Sequence, residues 1–315
     1  MRRQDPVKIC FSEPGFQPWN FRSTCENNFA YLVIRVRPCV ETIRGNPSKT
    51  TSYATTASCT YADDEFDMVV VSVGMRKSGS GWYFNMTNEL LQAAGHADAR
   101  RLRHRPLLRT MIRGENCRVG RLTMGKLIRL SLAHLAGHTF AVKSHSGPAR
   151  SLRAFTATGP IKVTYLYRDP RDVILSALEH GQAARKRGFD IEFKRLKTLD
   201  DSLRMVQHEL VKWERWMAYP HVLKVQYEHL VADTAGELRR LADFLRLDVQ
   251  EEKIRAIAAH YQKEEYAKTQ EQSLIENPLH LNKGIPGRYR EAMTPEARAL
   301  CERHLGPYLR KMGYA

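Results

Sequence analysis

Met68-Val69-Val70-Val71-Ser72-Val73, followed by Gly74-Met75-Arg76-Lys77-Ser78-Gly79-Ser80-Gly81-Trp82, is the stretch that decides the fold. Its first half is a continuous, largely β-branched run of the kind buried on both faces of a parallel sheet. Its second half crowds glycine and serine around a central Lys-Ser. A helical pattern then runs from Trp82 to Ala94, with Gly95 placed to stop it. A strand, a small-residue loop and a helix N-terminus in this order present backbone N–H groups and the positive end of a helix dipole to an anion. A plain strand-to-helix turn would need neither so many small residues nor a lysine among them.

Outward from this unit, strand and helix patterns keep alternating. Strands are predicted at Thr139 to Lys143, Ile161 to Tyr167 and His221 to Val225. Helices are predicted at Leu122 to Ala136, Arg171 to Arg187, Ser202 to Trp216, Ala235 to Leu245, Glu251 to Gln262 and Pro295 to Met312. This order implies an α/β architecture: a three-layer, P-loop-like fold with a central parallel sheet flanked by helices, and ligands beyond the carboxyl ends of the strands. Residues 1–64 are rich in Thr, Ser, Asn, Pro and Arg and offer one strand, Tyr31 to Val36. They are expected to form a poorly ordered extension ahead of a single domain over residues 65–315.

The 315 residues are 43% apolar and 27% charged, an ordinary globular composition. Charge is the exception. Fifty Lys and Arg against 34 Asp and Glu leave +16, which favours polyanionic partners. Between His96 and Leu130, ten basic residues face Asp98 and Glu115, a local +8. Four of the six cysteines precede residue 60, without a CxxC pair or a histidine at zinc-finger spacing, so no metal site is expected. The sparse cysteines of the body, Cys117 and Cys301, suit a reduced, cytoplasmic protein. No apolar run is long enough to span a bilayer, so a soluble protein is expected.

The loop is close to a Walker A sequence but fails where that chemistry needs it. Gly74 and Gly79 have the right separation, while Ser80 and Gly81 stand where Lys and Ser or Thr belong. The loop's lysine is Lys77 instead. A phosphate-like group can be cradled there without the metal-binding hydroxyl that nucleoside triphosphate chemistry uses. A second anion site is suggested by Arg168-Asp169-Pro170-Arg171-Asp172, at the end of a strand, with Ser176 eight residues beyond Arg168. Arginine's planar fork binds phosphate oxygens in pairs. A third strand ends in Val142-Lys143-Ser144-His145, and imidazole titrates near neutral pH, where a base for a hydroxyl acceptor is useful.

The segment Lys77-Ser78-Gly79-Ser80-Gly81-Trp82 resembles the KSGTTW of the 5′-phosphosulfate loop of the cytosolic-type sulfotransferases, with Met75-Arg76 in place of Tyr-Pro and Gly81 in place of a threonine. Arg168 to Ser176 is similar to that family's YRNPRDVxxS, with Asp169 for Asn. Lys143-Ser144-His145 resembles its KTH. Gln226-Tyr227-Glu228-His229-Leu230 resembles its RYEDL. Asn282-Lys283-Gly284 is similar to its RKG, with the arginine lost unless Arg288 or Arg290 substitutes.

This resemblance implies transfer of a sulfuryl group from 3′-phosphoadenosine 5′-phosphosulfate (PAPS) to a hydroxyl or amine acceptor, without a metal. It implies His145 as general base, and Lys77 and Lys143 beside the transferring group. It implies that Lys77, Ser78, Gly79, Ser80 and Gly81 hold the 5′ side, that Trp82 stacks on adenine, that Arg168, Ser176, Lys283 and Gly284 hold the 3′-phosphate, and that Tyr227 hydrogen-bonds adenine. Two other readings compete: a P-loop nucleotide kinase and a basic nucleic-acid-binding protein. The segments expected to line an acceptor pocket, 102–121 and 188–201, are basic, which leans toward an anionic or carbohydrate acceptor. The family's dimer signature is only shadowed in residues 290–299, so the resemblance carries no oligomeric state.

Overall fold

The computed structural model describes residues 67–157, 159–189, 191–262 and 284–315. The expected extension over 1–64, the strand at Tyr31 to Val36, and Asn282 and Lys283 lie outside them.

Four parallel strands form one sheet: β1 (Val69–Gly74), β2 (Phe140–Ser144), β3 (Ile161–Tyr167) and β4 (Val222–Gln226), in the order β2-β1-β3-β4. Every residue of β1 is buried, as its unbroken valine run predicts for a central strand. Val71 lies opposite Val142 on one side and Val163 on the other. Around the sheet are α1 (Ser80–Ala93), α2 (Ala99–Leu102), α3 (Met124–Leu135), α4 (Leu152–Ala157), α5 (Pro170–Lys186), a 3₁₀ turn (Glu192–Arg195), α6 (Leu199–Met217), α7 (Tyr227–Ala232), α8 (Thr234–Leu245), α9 (Glu251–His260), α10 (Tyr289–Ala292) and α11 (Pro295–Met312). The expected α/β architecture, a parallel sheet flanked by helices, is the one observed.

The differences from the sequence reading lie at element starts and in the short helices α2, α4, α7 and α10, which it does not predict. Helix α1 begins at Ser80 rather than Trp82, because Gly79 takes a left-handed conformation (φ 87°) and turns the chain into the helix earlier. Helix α6 begins at Leu199 rather than Ser202. Its start is fixed by a capping box in which Thr198 Oγ1 accepts from the Asp201 N–H at 3.1 Å and Asp201 Oδ2 accepts from the Thr198 N–H at 3.0 Å. Helix α7 was not anticipated at all, and it places Tyr227 at its first residue, directly behind β4. The sheet is sealed on the α6 side by Trp216, fully buried and stacked on Tyr165 with ring centroids 5.6 Å apart.

Candidate active site

The carboxyl ends of β1, β2 and β3 converge, and each delivers one expected motif. Past Gly74, the Met75 N–H still donates to the Leu166 carbonyl at 2.9 Å, so the loop leaves the sheet only at Arg76. Ser78 then folds the loop on itself: its N–H and its hydroxyl both donate to the Met75 carbonyl, at 3.2 and 2.6 Å. Lys77 and Gly79 have positive φ, 64° and 87°. A methyl group on Gly79 would stand 2.6 Å from the Tyr227 ring, and one on Gly74 would stand 2.5 Å from Ser80 Cβ. Both glycines are therefore required by close approach. Among the described residues no side chain caps α1, which leaves its first-turn N–H groups for an anion.

Lys77, Lys143 and His145 gather at this end of β1 and β2. A methyl group on Gly81 would lie 3.4 Å from Lys143 Nζ, so the lysine reaches across to the start of α1. Burial first, and then the nearby Arg118 and Lys77 charges, hold the Lys143 ammonium down to about 7. Lys77 lies 5.5 Å from the centre of the Phe193 ring and is lowered to about 8, again first by burial and then by Arg168. Among the described residues neither lysine has a carboxylate at salt-bridge distance. His145 Nδ1–H donates to the Gly74 carbonyl at 2.6 Å, since a carbonyl only accepts, and this leaves Nε2 as the ring's basic atom. Burial pushes His145 down to about 3, with Lys143 the next cause, so the ring is neutral at neutral pH.

The β3 motif meets the same end of the sheet. Asp169 caps α5 by accepting from the Arg171 N–H at 2.9 Å, and Pro170 takes the first helical position. Arg171 is fully committed to Asp169, Glu302 and the Tyr314 carbonyl, at 2.8, 2.5 and 2.7 Å. Arg168 is not. Its Nη2 donates to Asp172 and to the Ile285 carbonyl, both at 2.9 Å, while its buried Nε has no partner among the described residues. Ser176 is buried two turns along α5. Arg168 lies over the Tyr227 ring at 4.4 Å, Trp82 meets Tyr227 edge-on at 6.0 Å, and the Tyr227 hydroxyl donates to the Gly284 carbonyl at 2.7 Å. Of the two arginines considered as substitutes for Asn282, Arg288 pairs with Glu179 and Arg290 lies over Tyr289 at 5.0 Å.

The sulfotransferase domain family matches residues 67–313 of the chain. The chain belongs to this family. Sulfotransferases are also among the solved structures with the same fold. Retinol dehydratase in complex with androsterone and the inactive cofactor PAP aligns at 20% identity over 78% of this chain and 81% of that one, with a TM-score of 0.51. Mouse sulfotransferase SULT7A1 complexed with PAP aligns at 15% identity over 78% and 84%, also at 0.51. No curated protein matches the sequence.

Within this sulfotransferase domain, the sequence-predicted Lys77, Ser78, Gly79, Ser80, Gly81, Trp82, Lys143, His145, Arg168, Tyr227 and Gly284 surround one end of the sheet. One residue of this neighbourhood escaped the sequence. Glu209 of α6 is buried; it accepts from the Arg76 N–H at 3.2 Å and pairs with Arg76 Nε at 3.4 Å and Lys212 at 2.7 Å. Lys212 in turn donates to the His145 carbonyl at 3.3 Å. Glu209 thereby ties the lysine loop to the histidine loop. Glu115 and Glu192 are exposed and bonded to Arg103 and Arg76, whereas Asp172 pairs with Arg168 and Glu179 with Arg288. Among the described residues no helix is long and apolar enough to cross a membrane.

Proposed function

We propose that this chain moves a sulfuryl group from PAPS directly onto a hydroxyl or amine acceptor, with residues 65–315 as the catalytic domain, 1–64 as an extension, and a cytoplasmic location. The observation that carries this reading is the pair Lys77 and Lys143. Two ammonium groups that burial and neighbouring cations both disfavour, with no carboxylate at salt-bridge distance among the described residues, belong to a site whose counter-charge arrives with its ligand. A second group fits the same nucleotide: the buried Arg168 Nε, without a partner among the described residues and flanked by the Tyr227 ring, suits a 3′-phosphate oxygen.

When bound, the co-substrate supplies the sulfuryl group and its leaving bisphosphate. Lys77, Ser78, Gly79, Ser80 and Gly81 cradle the 5′ side, with Trp82 and Tyr227 at the base; Arg168, Ser176, Lys283 and Gly284 hold the 3′ side. His145 is held by the Gly74 carbonyl in the tautomer that leaves Nε2 free to take the acceptor's proton. As the acceptor oxygen bonds to sulfur, the bond from sulfur to the bridging oxygen breaks, and Lys77 meets the charge left there while Lys143 faces the transferring oxygens. A bound polyanion also relieves the cationic repulsion by Lys143 that contributes to His145's depressed basicity.

The acceptor is narrowed only by charge. Arg76 and Arg118 both press on His145, and they favour an acceptor with a negative or strongly polar group near its hydroxyl. The test is transfer of labelled sulfuryl from PAPS to lipid, glycan, peptide and phenol pools, run with EDTA. Transfer that survives the chelator supports the reading. Failure in every pool, with Mg²⁺-dependent phosphoryl transfer from ATP in its place, would overturn it.

A further inference from the structure

Seven large apolar side chains are well exposed among the described residues, and four of them sit on α3. Met124, Ile128, Leu132 and Leu135 are 52, 47, 37 and 75% exposed. At 3.6 residues per turn, positions i, i+4, i+8 and i+11 fall within about 80° of one another, so the four form a single ridge along the helix. The opposite side of α3 holds Leu127 and Leu130 in the core. The helix thus has two apolar faces, and only one is used by the fold. Four exposed apolar residues in line are more than the scattered ones any surface carries.

The stretch of sequence that carries this ridge is basic to an unusual degree. Residues 99–157 contain thirteen Lys and Arg and a single acidic residue, Glu115. Among the described residues only Arg100 and Arg103 of the thirteen pair with a carboxylate. Arg121 precedes the helix, and Arg129 lies on it and donates to Thr110 at 2.9 Å, both exposed beside the ridge. A second copy of this chain would bring like charge against like. A nucleic acid would satisfy the arginines and leave the ridge in water. An anionic bilayer satisfies both, because phospholipid headgroups meet the cations and the acyl boundary takes the apolar side chains.

We propose that α3 and its flanking arginines dock on the surface of an anionic membrane, with the ridge inserted at the headgroup boundary. The contact would lie close to the reacting groups. The Ser144 hydroxyl donates to the Gly120 carbonyl at 2.8 Å, and Gly120 lies four residues before α3 while Ser144 adjoins His145. This docking does not depend on the sulfotransferase reading, and its test uses no enzymatic readout.

The test is co-sedimentation of the full chain with phosphatidylcholine vesicles and with vesicles that also carry phosphatidylserine, across a salt series. Binding is expected only to the anionic vesicles and weakens as salt rises. The double variants Ile128→Gln with Leu135→Gln, and Arg121→Glu with Arg129→Glu, should each lose at least about tenfold in apparent affinity. Unchanged thermal unfolding and unchanged binding of adenosine 3′,5′-bisphosphate (PAP) would show that the variants are folded. The proposal is overturned by binding to neither vesicle type, or by anionic binding that the apolar variant leaves intact. It is equally overturned if sedimentation velocity shows a dimer that the same variant converts to monomer.

Discussion

Lys143 and Lys77 stand at about 7 and about 8 for the same first reason, burial, while an unfolded lysine titrates near 10.5. Both must be protonated to meet an anion, so ligand binding at neutral pH takes up protons. Affinity for PAP should therefore fall steadily as pH rises from about 6 to 9, with proton uptake visible as a buffer-dependent heat in calorimetry. A flat pH profile would contradict the placement of these lysines at the anion. At His145 and Lys77, binding and chemistry should separate. His145→Ala is expected to lower kcat by about 10² or more on a high-pKa alcohol while PAP binding barely changes. Acidic phenols, which need no base, should rescue that variant but leave Lys77→Ala impaired. Full activity of His145→Ala on the alcohol would move the base elsewhere.

At the level of elements, the start of α1 and the middle of α6 hold the site together. Gly79→Ala forces a methyl into the Tyr227 ring at a residue with φ 87°, and should cost about 1 to 3 kcal/mol and abolish PAP binding. Gly95→Ala is the control: its φ of 89° brings similar backbone strain with no atom within 4 Å, so it should lower Tm yet leave PAP affinity intact. Glu209→Ala leaves Arg76 and Lys212 without their buried counter-charge, and should lower both stability, by about 3 kcal/mol, and kcat, with Glu209→Gln intermediate. Wild-type stability in Glu209→Ala, read by denaturant melts, would show the pairs to be idle. The sheet and loop were legible in sequence because a β-branched run and a cluster of small residues are local signals. Glu209 was not, because Gln207-His208-Glu209 on an amphipathic helix reads as a solvated face, and its partner Arg76 lies 133 residues away. Helix α7 was missed for a related reason: Tyr227 follows β4 without a break and no side chain caps the helix. The ridge on α3 shows the converse limit, since periodicity identified the helix but not which of its apolar faces the fold would cover.

Over the whole molecule, the net charge of +16 divides between two uses. A few cations, Lys77, Lys143 and Arg168, are drawn into the site, and most of the excess between residues 99 and 157 stays outside. On the proposed reading, only the inner set would distinguish one nucleotide from another. The bulk charge would attract any polyanion, as a nucleic-acid-binding protein does, with strong salt dependence and no preference among adenine nucleotides. Two anion-binding motifs at the ends of β1 and β3 predict discrimination instead, because the second is useful only to a ligand with a 3′-phosphate. Isothermal titration of the full chain with PAP and with adenosine 5′-monophosphate, at fixed salt, measures this directly. PAP should bind at least about tenfold more tightly, and Arg168→Ala should remove most of that difference by deleting a charge-assisted contact worth about 1.5 to 3 kcal/mol. Equal affinity for the two nucleotides would contradict the assignment of the site to PAPS.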